Sequence, residues 1–433
     1  MENRKTILIY RVLYTIIFIG LVFRFFYPFF SNPLAHLYSD PHRHHFNVIE
    51  GHFGTELTSI LDPPVPQIIL KAALFVFGDT IFGAAAYLGF LCAITPWCWY
   101  RWGRMIFPSK ITALVFMAAI TWLPSWISIY SYFMDEPILL PLLGISLWLS
   151  WRAKKKGSVS SILFAAVLWA ITISIKLNVA FELIIVMTWL FFSMWRENKN
   201  KIRVVLTAGA VIGILGLAYL IYPFWVYKGL GFTWLFPPGM GGLNKGWHRS
   251  NAIECSATFI YQGKTLYQAG PYISNANVVG YLSPFSDWSS WRHGSFNYEI
   301  NCNQPINLTL PLAPLSLKDR ARNVLEETLH LLFAGSWPDD RADDPVQKLQ
   351  IDMHWLWSLL IIAIIVLGII KREMKNILVI LCLGTIVFYI VSDSSMIEGR
   401  YRKPWEGIAI ATFIFLCTTP KSNSNNLKPN PHL

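Results

Sequence analysis

Long apolar runs, separated by short loops of alternating character, constrain this chain more than any other feature. One set of loops is rich in Lys and Arg. The other is acidic, His-rich, or long and mixed. Runs of roughly 17–25 apolar residues can cross the hydrocarbon core as helices, where each backbone N–H and C=O must be satisfied inside the segment. Candidate stretches lie near 7–29, 80–99, 111–133, 136–152, 158–175, 178–195, 203–226, 353–370, 376–392 and 405–419. With 54% hydrophobic and only 14% charged residues, the pattern predicts an all-α polytopic membrane protein of about ten transmembrane helices.

The loop charges orient the chain. Arg4 and Lys5, then Arg101, Arg104 and Lys110, then Arg152 to Lys156, Arg196 to Arg203, and Lys371 to Lys375 fall on one side. The positive-inside rule makes that side cytoplasmic. Both termini then face the cytoplasm. The other side receives 30–79, the Asp135–Glu136 turn, the Lys176 turn, 227–352 and 393–404. The net charge of +11 fits basic loops beside anionic lipid. No base-reading motif is present, so nucleic acid is not an expected partner. The N-terminus is basic, then apolar, with Arg11 and Arg24 inside the run and no small-residue cleavage site. It reads as a retained first helix.

Four parts follow. Residues 1–226 form an N-terminal transmembrane module whose first outer loop is 30–79. Residues 227–352 form an outer domain, 353–419 the C-terminal transmembrane helices, and 420–433 a disordered polar tail. The first loop contains PQIILKAALFVFG, too short to span, which reads as an interfacial or re-entrant helix. In 227–352, aromatic and β-branched stretches punctuated by Gly, Pro and Asn predict a small, partly β domain. It ends in LKDRARNVLEETLHLLFAG, an amphipathic helix suited to the membrane surface. Cys255 and Cys302 lie in this polar region and are a disulfide candidate if it faces an oxidising compartment. Cys92, Cys98, Cys382 and Cys417 lie in or beside apolar runs, and no CxxC spacing occurs.

Five clusters could carry chemistry. In SDPHRHHFN, Asp40 could take a proton from an acceptor, or hold a metal or a sugar hydroxyl. His42, Arg43, His44 and His45 beside it could bind phosphate or hold Asp40 ionised. A solvated polar loop is the plain alternative. In LDPPVPQ, Asp62 precedes prolines that bias it away from helical geometry, so capping competes with a site role. In FMDEP, Asp135 and Glu136 sit where a helix N-terminus favours negative charge. Capping there competes with a metal or sugar contact. Lys176 stands between two apolar runs, a costly place unless it snorkels or binds something such as a lipid-linked phosphate; Glu182 is its expected ionic partner. In EGRYRKPWEG, Glu398 precedes Arg400, Arg402 and Lys403, cations on a side that should not be basic. Guanidinium forks suit bidentate phosphate binding, with headgroup anchoring as the alternative.

In this order the clusters resemble those of the GT-C superfamily of polytopic glycosyltransferases. The likeness is to the bacterial family 39 type, related to protein O-mannosyltransferases and aminoarabinose transferases. It rests on Asp40 in YSDPHRHHFN followed by a short helix, Lys176 in ISIKLNVAF, and Arg400 and Arg402 in GRYRKP. It covers roughly 1–226 and 353–419. The family often carries an Asp-Glu pair in the first loop, where Pro41 follows Asp40 here. The resemblance implies a polyprenyl-phosphate-sugar donor and a lipid, glycan or protein acceptor. It also implies inversion at the anomeric carbon with Asp40 as general base, and donor-phosphate contacts from Lys176, Arg400, Arg402 and Arg43. A divalent metal ion is a further cofactor open to His42, His44, Asp62, Asp135, Glu136 and Glu398. A bacterial inner membrane, with the site facing the periplasm, suits the compact single module. The main competing class is a transporter or flippase of a lipid-linked molecule, which would place charges at mid-membrane and show repeated halves. No repeat is evident.

Overall fold

The computed structural model describes residues 4–34, 44–45, 48, 63–197, 200–230, 256–261, 264–269, 297–301, 344–353, 355–391 and 402–420. The apolar runs are helical. The first is α1 (Arg4–Ser31), then α2 (Pro64–Phe77), α3 (Ile81–Ile106), α4 (Lys110–Thr121) and α5 (Pro124–Ser128), the last followed by a 3-10 turn at Ile129–Ser131. Next come α6 (Glu136–Lys156), α7 (Val159–Ile175), a 3-10 turn at Leu177–Val179, α8 (Ala180–Glu197) and α9 (Lys201–Leu230). The C-terminal part supplies α10 (Pro345–Asp352), α11 (Leu356–Lys371), α12 (Ile377–Val391) and α13 (Lys403–Thr418).

The ends of these helices are written in the sequence. Thr80, Ser109 and Ser158 each accept a bond from a backbone N–H of the first turn they precede, as N-caps do. Prolines open α2, α5, α6 and α13, where the missing N–H costs nothing. Helix α6 ends with Lys154, Lys155 and Lys156 in its last turn and Gly157 at φ 61°, a left-handed cap closing a helix whose C-terminal dipole favours cations.

Four described helices are long and apolar enough to cross a membrane: Arg4–Ser31, Ile81–Ile106, Leu177–Glu197 and Lys201–Trp225. A bent pair makes a fifth. The chain is therefore built as an integral membrane protein, though these criteria give four or five spans, not ten. The bent pair covers the candidate span at 111–133 and shows that it is broken. The chain breaks between Thr121 and Pro124 and turns by 54°, because Pro124 has no N–H to offer Ile120 and its ring disfavours helical geometry at Leu123.

Arg24 repairs this break. It is fully buried, and its donors go only to backbone carbonyls among the described residues. Nε donates to Cys92 O at 2.7 Å, and Nη1 to Ile120 O and Thr121 O at 3.2 Å each. Pro96, inside α3, removes the N–H that Cys92 O would otherwise accept. One guanidinium thus serves carbonyls opened by two prolines. In an apolar surround a carbonyl left without a donor costs free energy; Ile120 O also accepts from Leu123 N–H at 3.3 Å.

Helix α3 packs along α1 and α6; α6 packs on α7, α7 on α9, and α8 on α12. Helices α11 and α12 both pack on α13. Close approach needs small residues. A Cβ on Gly89 would lie 2.2 Å from Phe25 O, and one on Gly407 would lie 2.6 Å from the rings of Trp126 and Trp99. Such contacts let helices gain dispersion where lipid removes the hydrophobic drive. Four buried indoles are satisfied through the same core, while Trp102 Nε1 has no hydrogen-bond partner among the described residues. Trp99 donates to Leu140 O, Trp126 to Lys403 O, Trp169 to Ser150 Oγ and Trp405 to Cys382 O, at 2.8–3.0 Å.

Within 227–352, β1 (Ser256–Tyr261), β2 (Lys264–Ala269) and β3 (Asn297–Asn301) form an antiparallel sheet in the order β2-β1-β3. Ala257 faces Ala269 on one side, and Ser256 faces Asn301 on the other. Cys255, Cys302 and the amphipathic stretch at 317–335 lie outside the described residues.

Candidate functional site

The connector from Pro124 to Glu136 gathers the polar groups at one end of the bundle. Its last two residues lead into α6. Asp135 occupies the N-cap position but makes no side-chain cap bond. The sequence left capping and binding open for this pair; the geometry uses both carboxylates to hold Lys176. Lys176 Nζ bonds Glu136 Oε1 and lies 3.5 Å from Asp135 Oδ2. Lys176 closes the C-terminus of α7, so a cation sits at a negative helix end and two anions at a positive one. Glu136 is 2% exposed and Lys176 16%. The expected partner Glu182 is buried in the first turn of α8. No bond between it and Lys176 occurs among the described contacts, which correct that pairing to Asp135 and Glu136.

His44 and His45, between α1 and α2, reach the same mouth. His44 is buried, and the His45 ring packs edge-on against Phe133 at 6.1 Å, two residues before Asp135. Asp40, His42, Arg43 and Asp62 lie outside the described residues.

Arg402 is one residue before α13. It is 1% exposed, and its Nε donates to Glu406 Oε1 at 3.0 Å. Its guanidinium also lies over Trp357, 5.6 Å from the ring centre. Burial pulls its pKa down, and the Glu406 carboxylate opposes that pull. Ser125 Oγ donates to Glu406 Oε2 at 2.6 Å, and Lys403 Nζ donates to Ser125 O at 2.5 Å. Arg402, Lys403 and Glu406 therefore tie α13 to α5, a duty that phosphate binding by Arg402 would have to share. Arg400 and Glu398 lie outside the described residues.

Two more ties close this end. Tyr27 donates to Asp344 Oδ2 at 2.8 Å, while Asp344 Oδ1 accepts from Val346 N–H at the start of α10. Gln347 on α10 approaches Ser128 O, Ser131 Oγ and Tyr132 Oη at 3.4–3.5 Å. Sequence reasoning missed Ser125, Glu406, Tyr27, Asp344 and Gln347, each an ordinary polar residue until its partner is known. Arg24 had a signal: a lone Arg in an apolar run of a chain with Pro96 and Pro124.

The cluster of Lys176, Asp135 and Glu136 carries one excess negative charge when all three are ionised. It suits an acceptor hydroxyl or amine as it stands. Among the described residues no three His, Cys, Asp or Glu side chains gather to hold a metal ion. No protein-family model matches the chain, and no curated protein is similar to it.

Proposed function

We propose that this protein is a membrane glycosyltransferase. It moves a sugar from a polyprenyl-phosphate donor to a lipid, glycan or protein acceptor at the non-cytoplasmic face, with inversion. The acceptor oxygen attacks the anomeric carbon, Asp40 takes its proton, and the bond to phosphate breaks to release polyprenyl phosphate. Arg43, Arg400, Arg402 and Lys176 serve the phosphate in this reading. The ten-span topology, the outer domain at 227–352 and a bacterial inner membrane belong to the same proposal. One observation supports it best. The Lys176–Asp135–Glu136 cluster and the His45–Phe133 contact meet at one mouth of the bundle, so titratable groups from the first loop and two helix ends converge where a lipid headgroup and an acceptor could meet.

A transporter is favoured by one feature, the broken helix beside a buried arginine. The bonds of Arg24 to carbonyls opened by prolines give that charge a structural duty instead. The test is the full chain in nanodiscs with a polyprenyl-phosphate sugar and membrane-derived acceptors, read by mass spectrometry for released polyprenyl phosphate. Asp40→Asn should retain the donor lipid and lose about 10²–10⁴ in transfer rate. Near-normal transfer by this variant removes Asp40 from the mechanism. Donor movement across the bilayer without release of polyprenyl phosphate would favour the transporter.

A further inference from the structure

The opposite end of α3 and α6 carries a repeated pattern that the function above does not use. Trp97 and Arg101 are four apart on α3; Trp148 and Arg152 are four apart on α6. The two helices pack along each other, and there the pattern interlocks. The Arg101 guanidinium lies 4.5 Å from the Trp148 ring centre and 5.6 Å from that of Trp97. The Arg152 guanidinium lies 5.4 Å from the same Trp148 ring. Two cations therefore share one indole and can be no further apart than those two distances together.

Both arginines are exposed. Neither has a carboxylate in ion-pair range among the described residues. The sequence supplies none nearby along these helices: no Asp or Glu occurs between Asp79 and Asp135, or between Glu136 and Glu182. Arg104, Lys155 and Lys156 add exposed positive charge at the same helix ends. Like charges held together on a shared ring repel each other, and cation–π contact answers only the face of each guanidinium. Neither guanidinium makes a hydrogen bond among the described contacts, and guanidinium N–H groups grip phosphate oxygens bidentately. The level also fits, because indoles anchor at the headgroup region.

We infer that Arg101 and Arg152, braced by Trp148 and Trp97, form a clamp for the phosphate of an anionic phospholipid headgroup in the leaflet facing this end of the bundle. The clamp is independent of the glycosyltransferase reading. Its test is native mass spectrometry of the full chain in detergent, titrated with dioleoyl-phosphatidylglycerol or dioleoyl-phosphatidylcholine. The Arg101→Gln/Arg152→Gln variant should bind phosphatidylglycerol at least about tenfold more weakly. Arg196→Gln removes a cation that stacks on Phe192 and should change binding little. Arg101→Lys/Arg152→Lys keeps the charge and loses the forks, so it should show a smaller but measurable loss. That variant decides the matter if the Gln pair does not fold. Unchanged lipid binding in the Arg101 and Arg152 variants overturns the clamp, as does an equal loss in Arg196→Gln, which would reduce the effect to bulk charge. Displacement of the lipid by millimolar inorganic phosphate would assign the pair to a soluble ion and overturn the lipid assignment.

Discussion

At the residue scale, Arg24 shows how a membrane helix tolerates a charge. Its cost is met because prolines on two other helices leave carbonyls in want of donors. Replacing it by Met removes these donors, at roughly 1–3 kcal/mol for each carbonyl left without one; Ile120 O keeps the Leu123 N–H. Arg24→Met should therefore lower the unfolding midpoint in detergent markedly. The mechanism has a sharper signature. Pro96→Ala returns an N–H to α3 that can satisfy Cys92 O. In that background Arg24→Met should cost about one hydrogen bond less, or roughly 1 kcal/mol. Strictly additive effects in thermal or denaturant unfolding would show that Arg24 is not compensating for Pro96.

At the element scale, the buried pair of Arg402 and Glu406 fastens α13 to α5 through Ser125. Removing one member of a buried ion pair strands the other, at about 3–5 kcal/mol, whereas replacing both with apolar residues costs less. Glu406→Leu should thus destabilise the fold more than Arg402→Met/Glu406→Leu. If Arg402 acts only on a donor phosphate, Glu406→Leu will leave stability intact, and the coupling will be absent from the unfolding curves. This motif also shows where the sequence was and was not legible. Runs of apolar residues between Thr80, Ser109, Ser158 and Gly157 marked the helices and their ends, because caps and periodicity are local. The break after Thr121 lies in WLPSW, a mostly apolar stretch in which Pro124 is the local signal. Arg402 was read as a surface cation because its partner Glu406 is one turn inside the next helix. Glu182, six residues on, was the partner open to Lys176 in the sequence, whereas the described ion pairs join it to Asp135 and Glu136, about forty residues back. Side-chain pairing across helices depends on packing that no single segment records.

At the scale of the whole molecule, the two ends of the bundle differ in character. One gathers carboxylates, Lys176 and the Pro124–Glu136 connector. The other gathers cations over aromatic rings: Lys110 over Tyr10 and Tyr14, Arg101 and Arg152 over Trp148, and Lys154 over Trp189. Lys371 joins the carbonyl of Thr419 at 2.6 Å, closing α11 onto the end of α13. A basic, aromatic end is the one retained in the cytoplasm, since Lys and Arg near helix ends resist translocation. In the proposed topology the acidic end faces outward and 227–352 lies on that side of the membrane. Single cysteines test this in a background lacking the native thiols. A membrane-impermeant maleimide should reach Thr265→Cys on β2 in intact cells. It should reach Ser158→Cys, just past the lysines that end α6, only after permeabilisation. The reverse pattern would invert the protein in its membrane and put the Lys176 mouth in the cytoplasm. An outward-facing transfer reaction could not survive that result, because donor, base and acceptor would meet on the wrong side.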